Sequence, residues 1–402
     1  MSEMGCFFCI AAAERGFPTC AAGGIPSRRR VQRHRLPLAA RIGNPRSILL
    51  RAILLVLLSF ASAASAQDNV DDALKRATQF LLQSQDPPSG AINNKDERDG
   101  RVLTKRRNET AMTSLAILSL ASMGHQPGDS TPEGTAIRKA LAFVVRPEAQ
   151  DKDGYFGDAD GSRMYGHGIA TLMLAEMLGM GADAAQDALI REKCRRAIGL
   201  ILSAQKVRKK DSERGGWRYT PDQTDSDMSV TVWQVMALRS AKNAGMDVPK
   251  EAIDDAVGYI KRLYSPGDAA QPAVFGGFGY TGPSRETSTT AEGLLALQVC
   301  GQYDAPEVLG AAAKLLRDGM DRKERWFYYT TYYYAQGMYQ RGGNFAEQGR
   351  RVVADVLLSR QSREGWWEGE GGEERQGGRI YATSMAVLSL AVKNHFLPIY
   401  QR

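Results

Sequence analysis

From residue 70 onward the chain alternates two kinds of hydrophobic pattern. The first is apolar at helical spacing with a charged face: residues 70–85, 133–146, 184–206, 249–264, 305–319 and 344–361. The second is nearly uncharged and rich in Ala, Leu, Met and Thr: residues 109–123, 165–179, 227–243, 286–302, 328–340 and 379–393. A helix that is apolar all round must be buried, and one with a charged face must lie outside. Strict alternation of the two predicts six helical hairpins, each with one outer and one inner helix. The inner segments repeat among themselves. Thr383-Ser384-Met385-Ala386-Val387-Leu388 echoes Thr113-Ser114-Leu115-Ala116-Ile117-Leu118. Thr231, Thr290 and Thr331 head further copies, and His167 holds the same place in another.

The junctions from outer to inner helix repeat as well. Arg196-Ala197…Leu200-Ile201…Gln205…Gly215-Gly216-Trp217 and Val356-Leu357…Gln361…Gly365-Trp366-Trp367 are the fullest copies. Arg76-Ala77…Phe80-Leu81…Gln85…Gly90 lacks the aromatic. Lys139-Ala140…Gln150…Gly154-Tyr155-Phe156 has altered spacing, and Asp255-Ala256…Gly276-Gly277-Phe278 lacks the glutamine. Recurrence of this kind marks a repeat architecture. The first and last inner helices are as apolar as the middle ones, with no polar capping repeat, so a closed ring is favoured over an open solenoid. The fold expected is all-α: an α/α toroid with an inner and an outer ring of six helices. In it, Gly permits a tight turn, the aromatic fills the wedge between hairpins, and Gln binds carbonyls at its helix end or on the next repeat.

Composition changes this picture at one end only. The net charge of +7 belongs to residues 1–66, which hold nine Arg against Glu3 and Glu14. The remaining 336 residues balance 43 basic against 43 acidic side chains, so no nucleic-acid partner is expected. Arg46 and Arg51, the apolar run 52–61 and Ala64-Ser65-Ala66 read as an export signal with its cleavage site. The division expected is 1–66, an N-terminal extension and signal peptide, and 67–402, the toroid. The expected location is periplasmic or extracellular, with membrane attachment only through an uncleaved signal. The stretch before Arg46 is long for a signal, which suggests a true start downstream, near Val31. Cys6 and Cys9 form a lone CxxC with no second pair. Cys194 and Cys300 lie on different helices, and their spacing leaves pairing open.

The Gln…Gly-aromatic junctions resemble the QW motif of squalene and oxidosqualene cyclases and the repeats of protein prenyltransferase β subunits. The likeness spans residues 70–395 and is closest to exported, single-toroid bacterial proteins of the prenyltransferase/squalene oxidase repeat type. It implies three checks. The cyclases protonate a polyene with the middle Asp of Asp-x-Asp-Asp-Thr; Asp225-Ser226-Asp227-Met228-Ser229 matches the first and middle Asp and replaces the third by Met228. Asp227 or Asp225 before an inner helix also reads as an N-cap. The prenyltransferases hold zinc through Asp-x-Cys and a His; no Asp-x-Cys occurs here, and Tyr329 stands in the His position, so neither metal nor cofactor is expected.

Three functions follow. One is a binding toroid for a hydrophobic small molecule or a protein partner, its cavity lined by Trp233, Tyr329, Tyr332, Tyr333 and Tyr165. One is a terpenoid cyclase with Asp227 as general acid, Asp225 beside it, His167 as a candidate base and tyrosine faces to stabilise a cation. The third is a glycan-processing site drawn from Asp222, Asp225, Asp227, His167, Arg218 and Tyr219. Each aromatic has a core reading beside the cavity reading, and His167 a structural one beside the catalytic.

Overall fold

The computed structural model describes residues 69–93, 97–98, 101–102, 108–267, 275–370, 372–394 and 396–400. The expected leader, with Cys6 and Cys9, lies outside the described residues. Residues 70–402 fall in one compact unit. The outer helices are α1 (residues 69–83), α3 (Pro132–Val144), α5 (Ala184–Gln205), α7 (Lys250–Arg262), α9 (Pro306–Asp318) and α11 (Gly343–Leu358). The inner helices are α2 (Glu109–Ser122), α4 (Arg163–Glu176), α6 (Met228–Asn243), α8 (Thr287–Val299), α10 (Phe327–Arg341) and α13 (Gly378–Leu390). The short α12 (Gly372–Gln376) was not expected from the pattern, nor were two antiparallel pairs of two-residue strands. No described helix is long and apolar enough to cross a membrane.

The inner helices pack in chain order, α2 on α4, α4 on α6, α6 on α8, α8 on α10 and α10 on α13, and α13 returns to α2. That last contact closes the ring, as the apolar end helices predict. The inner helices are buried on nearly every face, which is why their sequences carry so few charges.

The repeated junction residues do one job. Gln205 Nε2 donates to its own loop, at Gly215 O (2.9 Å), and to the next outer helix, at Ala252 O (2.8 Å). Gln85 makes the same pair with Gly90 O and Ala136 O, and Gln150 with Gly154 O and Lys193 O. Gln361 makes it with Gly365 O (2.9 Å) and Ala73 O (2.8 Å), so the last outer helix is tied to the first. Gly215 has φ +95°, and a Cβ there would stand 2.1 Å from the Asp255 carbonyl. Trp217 and Trp367 fill the wedges and donate Nε1–H to Ile201 O and Leu357 O.

A threonine on the inner helix completes four of the six junctions. Thr231 Oγ1 accepts the backbone N–H of Trp217, Thr290 that of Phe278, Thr383 that of Trp367 and Thr113 that of Ile92. Ile92 thus takes the place left by the aromatic missing from the first copy.

The end of the inner ring where its helices terminate is covered by the turn Pro398–Tyr400. Ile399 N–H donates to Glu176 Oε2 (3.1 Å), the Tyr400 hydroxyl bonds that of Tyr332, and Gln340 donates to Tyr400 O. Glu176 is buried among these groups and also accepts from Ser240. Burial pushes its carboxyl up to about 7.

Candidate functional site

The opposite end of the inner ring carries buried carboxylates at helix N-termini, where unpaired N–H groups and the helix dipole favour them. Asp227 caps its own helix α6: Oδ1 accepts from Val230 N (2.8 Å) and from the Ser229 hydroxyl (2.7 Å). Asp160, from the loop before α4, caps α2 through Thr110 N and Ala111 N. Glu374, on α12, caps α10 through Tyr328 N (2.8 Å) and Tyr329 N (3.1 Å). Capping by Asp227 is therefore one of three comparable arrangements.

Asp227 is 0% exposed, and its second oxygen faces Arg218 Nη1 at 3.4 Å. Arg218 Nε lies 3.4 Å from Asp225, whose side chain is half open to solvent. The guanidinium rests over the rings of Tyr219 (4.6 Å) and Tyr280 (5.5 Å), whose hydroxyls bond each other. Burial raises the Asp227 carboxyl to about 6 against the opposing pull of Arg218 and the cap hydrogen bonds. Asp222 stands apart, exposed and accepting from Thr220.

Inward from Asp227 lies an aromatic cluster. Ser229 links three helices: its hydroxyl bonds Tyr165 of α4, and its carbonyl accepts from Tyr329 of α10 (3.4 Å). Trp233 of α6 stacks on Tyr332 of α10 with centroids 5.8 Å apart, and meets Tyr333 edge-on at 5.9 Å. Tyr329 and Tyr333 are edge-to-face at 4.8 Å. Helices α6 and α10 are separated in the ring by α8. Two helices that are not neighbours in a ring can touch only through its interior. The rings of Trp233, Tyr329, Tyr332 and Tyr333 therefore occupy the inside of the barrel.

Glu292 joins this cluster from α8. It is 1% exposed, Tyr329 hydrogen-bonds it, the charge of Asp227 acts on it, and Tyr333 and Tyr381 of α13 feel its charge. Burial, reinforced by the charge on Asp227, holds its carboxyl well above the usual range. Its Oε2 has no hydrogen-bond partner, and neither does Trp233 Nε1. The Tyr333 hydroxyl is unpaired as well, and buried polar groups are almost always paired, so three orphans in one cluster are notable.

Of the residues expected from sequence, Asp225, Asp227, Tyr165, Trp233, Tyr329, Tyr332 and Tyr333 form one connected set, from the rim at Asp225 to the barrel interior. Tyr332 extends toward the turn at Tyr400. His167 is not part of it. Its Nδ1 accepts the N–H of Phe156 (3.3 Å), so the ring proton sits on Nε2, which faces Ala197 O at 3.1 Å. It performs the junction task that threonine performs in four other repeats, and burial lowers it to about 4, which keeps it neutral. The signal was present: His167 occupies the threonine slot of its repeat. Glu292 also had a signal, as the single charged residue among the thirteen of α8.

Cys194 and Cys300 are free thiols, each pushed up to about 12 by burial. Among the described residues no three His, Cys, Asp or Glu side chains are grouped to hold a metal ion.

No protein-family model and no curated protein sequence matches the chain. Solved structures do. A type II terpene cyclase from Scytonema, in complex with geranylgeranyl dihydroxybenzoate, matches with TM-score 0.52 and 14% identity, over 83% of this chain and 99% of that one. An alpha-1,6-mannanase of Salegentibacter matches with TM-score 0.54 and 10% identity, over 80% and 98%. A sugar epimerase from a ruminal bacterium matches with TM-score 0.52 and 13% identity, over 82% and 98%. The chain thus has the α/α-toroid fold, which hosts both terpene and sugar chemistry.

Proposed function

We propose that this toroid binds an apolar ligand of isoprenoid character inside its inner ring, without zinc chemistry. The observation that carries the reading is the meeting of Trp233, Tyr329, Tyr332 and Tyr333 across the ring interior. Aromatic faces offer a large apolar contact area with few rotatable bonds and attract polarisable or cationic groups. Asp227 fits a structural place in this reading. One oxygen is committed to the cap and the other to Arg218, so at neutral pH it is a paired carboxylate. The ligand is met outside the cytoplasm, because export through residues 1–66 is part of the same proposal.

The reading is tested with purified protein, squalene and geranylgeraniol, by tryptophan fluorescence of the wild type and of Trp233→Phe. Saturable quenching that depends on Trp233 supports it. No binding of either probe to folded protein removes it.

A second reading is acid-catalysed cyclisation with Asp227 as the proton donor. The observation that favours it is the rise of this buried carboxyl to about 6, which places its protonated form within reach at mildly acidic pH. The likeness to the Scytonema cyclase covers 99% of that chain. Asp227→Asn separates the two readings, since Asn retains the cap. Cyclised product from the wild type at pH 5 to 6, abolished in a variant of unchanged melting temperature, supports catalysis. Binding retained with no product from either protein supports the binding toroid.

A further inference from the structure

The buried acids divide into those with a structural task and one without. Asp160, Asp227 and Glu374 cap helices, and Glu176 holds the closing turn. Glu292 caps nothing. It sits within α8, between Thr287 and Val299, on a helix with no other charge. Its neighbours come from α6, α10 and α13, which only the ring interior brings together. The groups facing it are Asp227 from α6, Tyr329 and Tyr333 from α10 and Tyr381 from α13, with Glu286 at the start of its own helix. None of them is a cation. Arg218, the nearby base, is already shared between Asp225 and Asp227.

A buried carboxyl without a cation is costly unless its hydrogen-bonding capacity is used. Tyr329 serves one side of Glu292, and Oε2 has no partner. Tyr333, whose own hydroxyl is unpaired, lies against both of these orphans: Trp233 meets its ring at 5.9 Å, and the charge of Glu292 reaches its hydroxyl. Within the aromatic cluster of the interior, an uncharged donor and an uncompensated carboxyl thus flank a tyrosine.

We propose that Glu292 is the polar anchor of the ligand site and selects an isoprenoid bearing a neutral oxygen, such as an alcohol, over a plain hydrocarbon or an anionic head. The inference rests on the apolar-ligand reading and deepens it. A hydroxyl both donates and accepts, so it can bond a carboxyl in either protonation state and still accept from an N–H. A hydrocarbon leaves both orphans unpaired. A carboxylate or diphosphate head would be desolvated beside the Asp227 charge, with no cation among the groups facing Glu292 to meet it.

The test compares geranylgeraniol, squalene and geranylgeranoic acid on the full-length protein, its Glu292→Leu and Glu292→Gln variants, and the wild type. The wild type is expected to prefer the alcohol by tenfold or more over both other probes. Glu292→Leu is expected to lose that preference while keeping squalene, and Glu292→Gln, which still donates and accepts, to retain most of it. Of the infrared C=O absorption of buried carboxylic acids, the component lost in Glu292→Gln should be the one that shifts when geranylgeraniol binds the wild type. Leu removes a desolvated acid, so Glu292→Leu is expected to fold at least as stably as the wild type. A folded Glu292→Leu that prefers the alcohol as strongly as the wild type overturns the anchor and leaves the binding reading standing. Failure of all three probes on the wild type overturns the binding reading, and the anchor with it.

Discussion

Trp217, Trp367 and Trp233 are equally buried, yet their indole N–H groups meet different surroundings. At the hairpin junctions Trp217 and Trp367 each donate to a carbonyl of their own outer helix. Inside the ring Trp233 donates to nothing. The junction glutamines repeat the lesson, with Nε2 of each tied to two carbonyls. The junctions use the donors of their glutamines and tryptophans, although Gln150 Oε1 stays unpaired, whereas the interior leaves an indole donor unpaired. A buried indole N–H without an acceptor costs stability, so Trp233 marks a place where something else is served.

The comparison can be broken most severely at Gly215. Ala there places a Cβ against the Asp255 carbonyl at φ +95°, and a loss of about 4 kcal/mol or outright failure to fold is expected. Gly245, with φ +80° but open space around it, is the control: Ala should cost only about 1 kcal/mol. Denaturant midpoints of both variants check this.

The second effect is one of pH. Glu176 holds its proton to about 7 in the folded protein, against an ordinary value of 4.5. Between these values the folded state binds more protons than the unfolded state, so stability falls as pH rises. The contribution is full below 4.5 and lost by the time pH has passed 7, on the order of 3 kcal/mol. Glu374 and Asp227 act in the same direction, up to about 8 and about 6. His167, lowered to about 4, acts in the opposite one, removing stability as pH falls from 6.5. Urea titrations from pH 4.5 to 8 should show a flatter profile for Glu176→Gln than for the wild type.

Tryptophan substitution sharpens the contrast directly. Trp217→Phe deletes the indole bond to the Ile201 carbonyl and leaves the wedge underfilled, and about 2 kcal/mol should be lost. Trp233→Phe removes an N–H that has no partner, and less than about 1 kcal/mol is expected. Equal losses in thermal unfolding would remove the distinction between the two regions.

The smallest effect tests the odd junction. His167→Thr restores the residue of the other repeats and keeps an acceptor for the Phe156 N–H, while giving up the Ala197 contact. About 1 kcal/mol should be lost, together with the acid-side decline that His167 causes.

The helices were legible because each sequence pattern records one local fact, which face meets water. All twelve expected helices lie within two or three residues of their predicted bounds at most ends. Chemistry at the site was less legible because it depends on contacts between repeats. Asp160 caps a helix fifty residues before it, and Glu374 one more than forty residues before it, so neither reads as a cap in sequence. Asp227 precedes its own helix and did. The turn Pro398–Tyr400 seals an end of the ring without any repeat to announce it. His167 drew attention as a rare titratable residue, while Glu292, lone in α8, drew none. Position within the repeat was the better guide in both cases.

Gln361 lies 288 residues from the carbonyl it holds at Ala73. During synthesis from the N-terminus, α1 therefore stays unclasped until nearly the whole chain has emerged. Every nascent intermediate is an open arc with two unsatisfied apolar flanks. Contacts of such long sequence separation slow folding, and exposed flanks invite association with a second arc. Once the clasp forms, the circle has no privileged first hairpin. A chain whose natural ends are joined and which is cut in another outer loop can trace the same circle.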